Sequence, residues 1–186
     1  MMFGLAIDGT KIQATTGAEA VCPGCRSPLV AKCGSIVVHH WAHESCEDCD
    51  PWWEPEGEWH RSWKLGLPPD RVEAVLGRHR ADVLTPNGVL ELQHSPISVE
   101  EICERESHYR FFGGLIWLFD AREWSENIDL RPKGEVFTFR WKWPRKSLWA
   151  VQRPLLLDIG NGRILDVRKI HHETPCGGWG YLRTVD

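Results

Sequence analysis

The sequence predicts an α+β protein in three parts, and three observations carry that reading. Five of the seven cysteines fall between Cys22 and Cys49, two of them spaced Cys-x-x-Cys as Cys22-Pro23-Gly24-Cys25. From residue 58 to 119 the local patterns run helix, three strands, helix, strand. From Arg131 the chain turns basic and aromatic with strand-like alternation. The expected organisation is a small zinc-ribbon-like module with an acidic connector over 1–54, a mixed core over 55–125, and a basic, aromatic, β-rich extension packed on that core over 126–186.

Composition narrows the class. A chain of 186 residues with 42% hydrophobic and 26% charged residues can bury one core and a small satellite module. No apolar run approaches the length of a membrane-spanning helix, so no membrane partner is expected. Met1 to Asp8 has no basic start and meets an acid too soon for a secretory leader, so a cytoplasmic protein is expected. Net charge is −4, which argues against binding nucleic acid by global charge. The charge is polarised instead: seven acids and no Lys or Arg from Glu44 to Glu58, and seven Lys or Arg against one acid from Arg131 to Arg153.

Taken in order, Leu5 to Ile7 and Lys11 to Ala14 read as short strands around Asp8-Gly9. Pro23 and Gly24 permit the tight turn that points two thiolates at one ion. A hairpin, Leu29 to Lys32 and Ser35 to His39, follows. A closed tetrahedral Zn²⁺ site then needs two more ligands from His40, His43, Cys46 and Cys49. Spacing alone favours Cys46 with Cys49. Such a site is structural, since four protein ligands leave no position for water. The connector Asp50 to Gly57 reads as a solvated loop whose tryptophans lean on the metal module.

Glu58 to Gly66 reads as a short helix, stopped by Gly66 and Pro68-Pro69, with Trp59 and Trp63 as its core stripe. Arg71 to Gly77 is a strand. His79 to Leu84 and Val89 to Ser95 make a hairpin across Thr85-Pro86-Asn87-Gly88. Glu91 and Gln93 are two apart and leave one face of their strand. With Asp82 they put three polar groups on an apolar hairpin, an arrangement costly to bury unless it serves a metal and a substrate. An ion-paired hairpin with Arg78 or Arg80 is the alternative. Ser98-Val99-Glu100-Glu101 is a capping box. Its helix runs to about Phe112, with Val99, Ile102, Cys103, Tyr109 and Phe112 towards the core. Leu115 to Phe119 suits a strand buried on both faces. Phe137 to Trp143 alternates strictly, with four aromatics on one face and Arg140 and Lys142 on the other. Leu155 to Ile159 and Ile164 to Ile170 are the last expected strands.

Asp82…Glu91-Leu92-Gln93 resembles the PD-(D/E)XK nuclease signature, with Gln93 where Lys is usual. The wider string Glu58-Trp59-His60…His79-Arg80-Ala81-Asp82…Glu91-Leu92-Gln93-His94-Ser95-Pro96-Ile97-Ser98 is similar to the competence protein CoiA-like nucleases, over about Cys22 to Asp120. The resemblance implies a restriction-endonuclease-like αβββαβ core. It implies catalytic roles for Glu58, His60, Asp82, Glu91 and Gln93, with Asp82, Glu91 and Glu58 holding Mg²⁺ (or Mn²⁺). It also favours His43 and Cys49 as the remaining zinc ligands, with His40 and Cys46 as alternatives. For His60 a structural hydrogen bond is an equal reading.

The expected function is therefore Mg²⁺-dependent hydrolysis of DNA, single-stranded or branched, linked to competence, recombination or a mobile element, with a recombination protein as a second partner. Lys64, Arg80, Arg140, Lys142, Arg145 and Lys146 are the expected nucleic-acid contacts. Gln93 can orient a water but cannot neutralise charge, and Lys64, Arg80 or His79 are candidates to compensate. The alternative is a non-catalytic DNA-binding adaptor that recruits recombination factors.

Overall fold

The computed structural model describes residues 1–44, 49–173 and 175–185. It is an α+β structure, mostly strands with few helices. It divides into two compact units, Met1–Pro86 and Asn87–Asp186. None of the described helices is long and apolar enough to cross a membrane.

In the first unit, β1 (Phe3–Leu5), β2 (Lys11–Gln13), β3 (Ala20–Val21), β4 (Pro28–Lys32) and β5 (His40–His43) form an antiparallel sheet in the order β2-β1-β3-β4-β5. Its small core gathers Ala14, Ala20, Cys22 and Leu29 around Trp41, whose indole donates to the Ile12 carbonyl at 2.9 Å. Two expected strands move. The first ends at Leu5 because Ala6 bonds with Thr10 and Gly9 across the Asp8 turn, which leaves Ile7 fully exposed. The strand expected at Ser35 to His39 instead occupies His40–His43, pairing Lys32 with His40 and Leu29 with His43. Burial selects this register, since it puts Trp41 inside while Ile36 and Val37 stay outside.

α1 (Glu58–Lys64) ends as expected before Gly66, which takes φ +80. Its core stripe differs: Trp59, His60 and Lys64 are buried, while Trp63 is only half-buried. β6 (Val72–Leu76) and β7 (His79–Thr85) pair antiparallel. Glu73, at φ +51, lies with Asp82 between the paired positions Val72–Val83 and Ala74–Ala81. That distortion turns the Glu73 carboxylate to the backbone amides of Met2 and Phe3, at 2.8 and 3.0 Å.

In the second unit, β8 (Gly88–Gln93), α2 (Val99–Tyr109), β9 (Leu115–Asp120), β10 (Ile128–Lys133), β11 (Val136–Trp141), β12 (Leu155–Asp158), β13 (Arg163–His171) and β14 (Gly177–Thr184) follow. The strand order is β10-β11-β14-β13-β12-β9-β8, with β9 parallel to both β8 and β12. Between two parallel neighbours β9 is buried nearly throughout, as its unbroken apolar run requires. Ser98 caps α2 by accepting from the Glu101 amide at 3.1 Å. Its buried residues are Ile102, Arg105, Glu106 and Tyr109; Val99 and Cys103, expected inside, are exposed. β10 to β14 supply five strands after β9, and β12 joins the sheet directly beside β9. β11 stops at Trp141, so Trp143 does not join the aromatic face and is 69% exposed. β14 escapes a sequence reading because its glycines are poor strand formers. They are required there: a Cβ on Gly178 would lie 1.9 Å from the Lys169 carbonyl oxygen.

Candidate metal centre and motif carboxylates

The turn after β3, the end of β5 and the start of the connector bring four candidate ligands together. Cys22, Cys25, His43 and Cys49 place one ligand atom each within 4.8 Å of one another. The Cys22 and Cys49 sulfurs are 3.8 Å apart, and Cys25 Sγ lies 3.4 Å from His43 Nε2. Tetrahedral zinc, with Zn–S near 2.3 Å and Zn–N near 2.0 Å, separates two thiolates by about 3.8 Å and a thiolate from an imidazole by about 3.5 Å. The spacing and the donor set both fit, so the cluster can bind zinc. Burial opposes ionisation of Cys25, but hydrogen bonds from Ser27 and His43 bring its thiol down to about 6. Burial, with Cys22 close by, pushes Cys49 up to about 12. Three thiolates this close repel one another, and a divalent cation removes the conflict. His40 stands apart, its Nδ1 on the Val38 carbonyl at 2.8 Å. Cys46 lies outside the described residues.

The acidic connector is not simply solvated. Asp50, next to the ligand Cys49, accepts from His79 at 2.8 Å and from the Arg80 backbone amide at 2.6 Å. Trp52 stacks on the His79 ring with centroids 3.2 Å apart. These contacts tie the thiolate cluster to β7, the strand that carries Asp82. Arg80, expected at nucleic acid, is half-buried and directs its guanidinium to the Met1 sulfur at 3.5 Å. His60 is also buried, 3.2 Å from Glu54, while Glu58 is exposed in the first turn of α1.

Lys64 overturns an expectation. It is 2% exposed and so is no surface contact for phosphates. Its ammonium lies 2.8 Å from Asp82, 3.2 Å from Glu56 and 3.6 Å from Glu73. Burial alone would depress that ammonium, but Asp82, Glu73 and Glu56 together raise it above the ordinary lysine range. Burial likewise opposes ionisation of Glu73, yet Lys64 and Arg80 hold its carboxyl down at about 2.

In the second unit Glu91 is buried and accepts from Arg105 at 2.7 Å; Arg105 also binds Glu101 one turn earlier. Gln93, buried beside it in sequence, donates to the Ser95 carbonyl at 3.1 Å. Each motif carboxylate thus has one oxygen held by a basic side chain of its own unit. A carboxylate carries about four acceptor sites. Carboxylate oxygens are the donor type that Mg²⁺ takes, and in donor chemistry Asp82 and Glu91 fit that ion.

The residues expected at nucleic acid in the second unit divide. Arg140, Lys142 and Lys146 are exposed, and Lys142 lies over the Trp143 ring at 5.8 Å. Arg145 is half-buried over Trp124 at 4.8 Å. Sequence reasoning missed one cluster, at the end of β9. The buried Asp120 carboxylate binds His94 at 2.9 Å and Arg122 at 2.7 Å. Burial would raise Asp120, but the Arg122 and His94 hydrogen bonds lower it. The available signal was an acid closing an otherwise apolar strand.

An α+β chain with a Cys₃His cluster ahead of a helix–strand core is the class that the fold and site define. In comparison with protein families, residues 8–51 match "Competence protein CoiA, N-terminal domain". That segment contains all four residues of the thiolate–imidazole cluster. Neither the curated proteins nor the solved structures contain a match to the chain.

Proposed function

We propose that this protein is a metal-dependent nuclease that hydrolyses DNA phosphodiester bonds, on single-stranded or branched DNA in competence-linked recombination or in a mobile element. The observation that supports this reading is that each motif carboxylate pairs with a basic side chain: Asp82 with Lys64 and Glu91 with Arg105. Such pairs hold each carboxylate in a fixed orientation, which suits a cation ligand. The elements bearing them follow the order α1, β6, β7, β8, α2, β9, the chain order of the PD-(D/E)XK core. The CoiA match at 8–51 supports the competence link.

Asp82, Glu91 and Glu58 would hold Mg²⁺ or Mn²⁺, which polarises the phosphodiester and lowers the pKa of an attacking water. Gln93 orients that water through its amide. Arg140, Lys142 and Lys146 contact phosphates, and Trp143 offers a face on which an unpaired base stacks. The Cys22, Cys25, His43 and Cys49 site holds a structural zinc that fixes the connector and, through Asp50, the start of β7.

A second reading, the non-catalytic DNA-binding adaptor, is favoured by the burial of the Glu91 side chain, 3% exposed beside Arg105. Cleavage of labelled single- and double-stranded DNA with Mg²⁺, Mn²⁺ or EDTA separates the two. The nuclease reading expects metal-dependent cutting, abolished in Glu91→Ala and Asp82→Ala with DNA binding kept. Binding without cutting on any substrate makes the protein an adaptor.

A further inference from the structure

We infer that Lys64 is a positioning residue for Asp82, supplying from α1 the cation that the Glu91-Leu92-Gln93 motif lacks; this rests on the nuclease reading above. Gln93 is neutral, so the motif itself brings no positive charge to offset the carboxylates or the phosphate. Lys64 is the last residue of a seven-residue helix, where a lysine would ordinarily reach into water. Here its ammonium is enclosed. Burying a charge this completely is costly unless it is paired and hydrogen-bonded, and three carboxylates meet that need.

Those carboxylates are unequal. Glu56 and Glu73 have side chains only 5% and 2% exposed, whereas the Asp82 side chain is 21% exposed. Glu73 is itself locked by the Met2 and Phe3 amides, and Glu56 immediately precedes α1. Two closed carboxylates therefore hold the ammonium from behind, and its shortest contact, 2.8 Å, goes to the open one. The cluster meets solvent through Asp82. Lys64 touches no substrate in this arrangement. It fixes the plane of the Asp82 carboxylate through Oδ1 and keeps a positive charge directly behind it, where low local dielectric strengthens its field.

The test uses the full chain with its zinc in place. Lysine-selective NMR of the unsubstituted protein, titrated with Mg²⁺ alone and no DNA, should show a saturable shift of the Lys64 ammonium signal. The shift should be absent in Asp82→Asn. Cleavage at saturating Mg²⁺ should fall about 10²-fold in Lys64→Met, the scale expected when a reacting group is misplaced by about 1 Å. Lys64→Arg should recover most of that loss, and KM for DNA should stay unchanged. A Lys64 signal indifferent to saturating Mg²⁺ overturns the inference, as does a folded Lys64→Met that cleaves at the unsubstituted rate. Because the titration needs no substitution at Lys64, it decides the matter even where Lys64→Met fails to fold. If the unsubstituted protein neither cleaves nor responds to Mg²⁺, the nuclease reading itself fails and takes this inference with it. Cleavage with a silent Lys64 removes the inference alone.

Discussion

The two units bury charge in different ways. In the first, one ammonium is shared among Glu56, Glu73 and Asp82, and short strands frame a thiolate–imidazole cluster. In the second, Arg105 is shared between Glu91 and Glu101 under a helix, and the sheet around it is apolar, with Trp117, Leu118, Phe119, Leu157 and Leu165 nearly inaccessible. The first unit has strands of two to five residues in its five-stranded sheet, too little apolar surface to close without further links. Its links are the Cys₃His cluster, Asp50 and Lys64. The second draws its cohesion from burial and ladder bonds. Metal and acid should therefore act on the first unit, and loss of internal contacts on the second.

The largest effect is expected from removing the metal. Chelation, or Cys22→Ser, should release one bound zinc per chain and expose the amides of β3, β4 and β5 to hydrogen exchange. Structural zinc in small modules contributes on the order of 10 kcal/mol to folding. Metal analysis with exchange mass spectrometry checks this, and unchanged protection after zinc loss would erase the contrast. Next comes Arg105→Ala, which leaves Glu91 buried without its cation. A loss of about 3–5 kcal/mol is expected, read as a lower urea midpoint with zinc content unchanged. A loss below about 1 kcal/mol would mean that groups other than Arg105 compensate the Glu91 charge.

The smallest and most selective effect is acid. Glu73 titrates at about 2 in the folded protein against an ordinary 4.5. A carboxyl depressed on folding stabilises fully above its unfolded value, and the contribution fades as pH falls from about 4.5 towards 2. Glu73→Gln should flatten the pH dependence of stability in that window and lower stability above it. Equal slopes in the two proteins would show that other carboxylates govern the acid limb.

Much of this was legible along the chain because it depends on near neighbours. Cys22 and Cys25 share a turn, Ser98 reaches Glu101 within one turn of helix, and Leu115 to Phe119 declares burial on both faces by composition alone. The same holds for the order helix, three strands, helix, strand. Other features were out of reach. Nothing local distinguishes Lys64 on its short helix from a solvated lysine, and only the approach of Glu73 and Asp82 turns it inward. Asp50 looked like one acid among several until His79 and the Arg80 amide came to it from 29 and 30 residues away. β14 is invisible by propensity, because its glycines are chosen by carbonyls on β11 and β13 that a Cβ would strike.

By itself, then, the sequence determined the order of elements from α1 to β9, the candidate metal ligands and the carboxylate motif, all of which depend on residue identity and spacing over a few positions. Tertiary structure decided which charges are enclosed, which face of α1 is buried and which cation stands behind Asp82. Those depend on the low dielectric and close packing that appear only when distant segments meet.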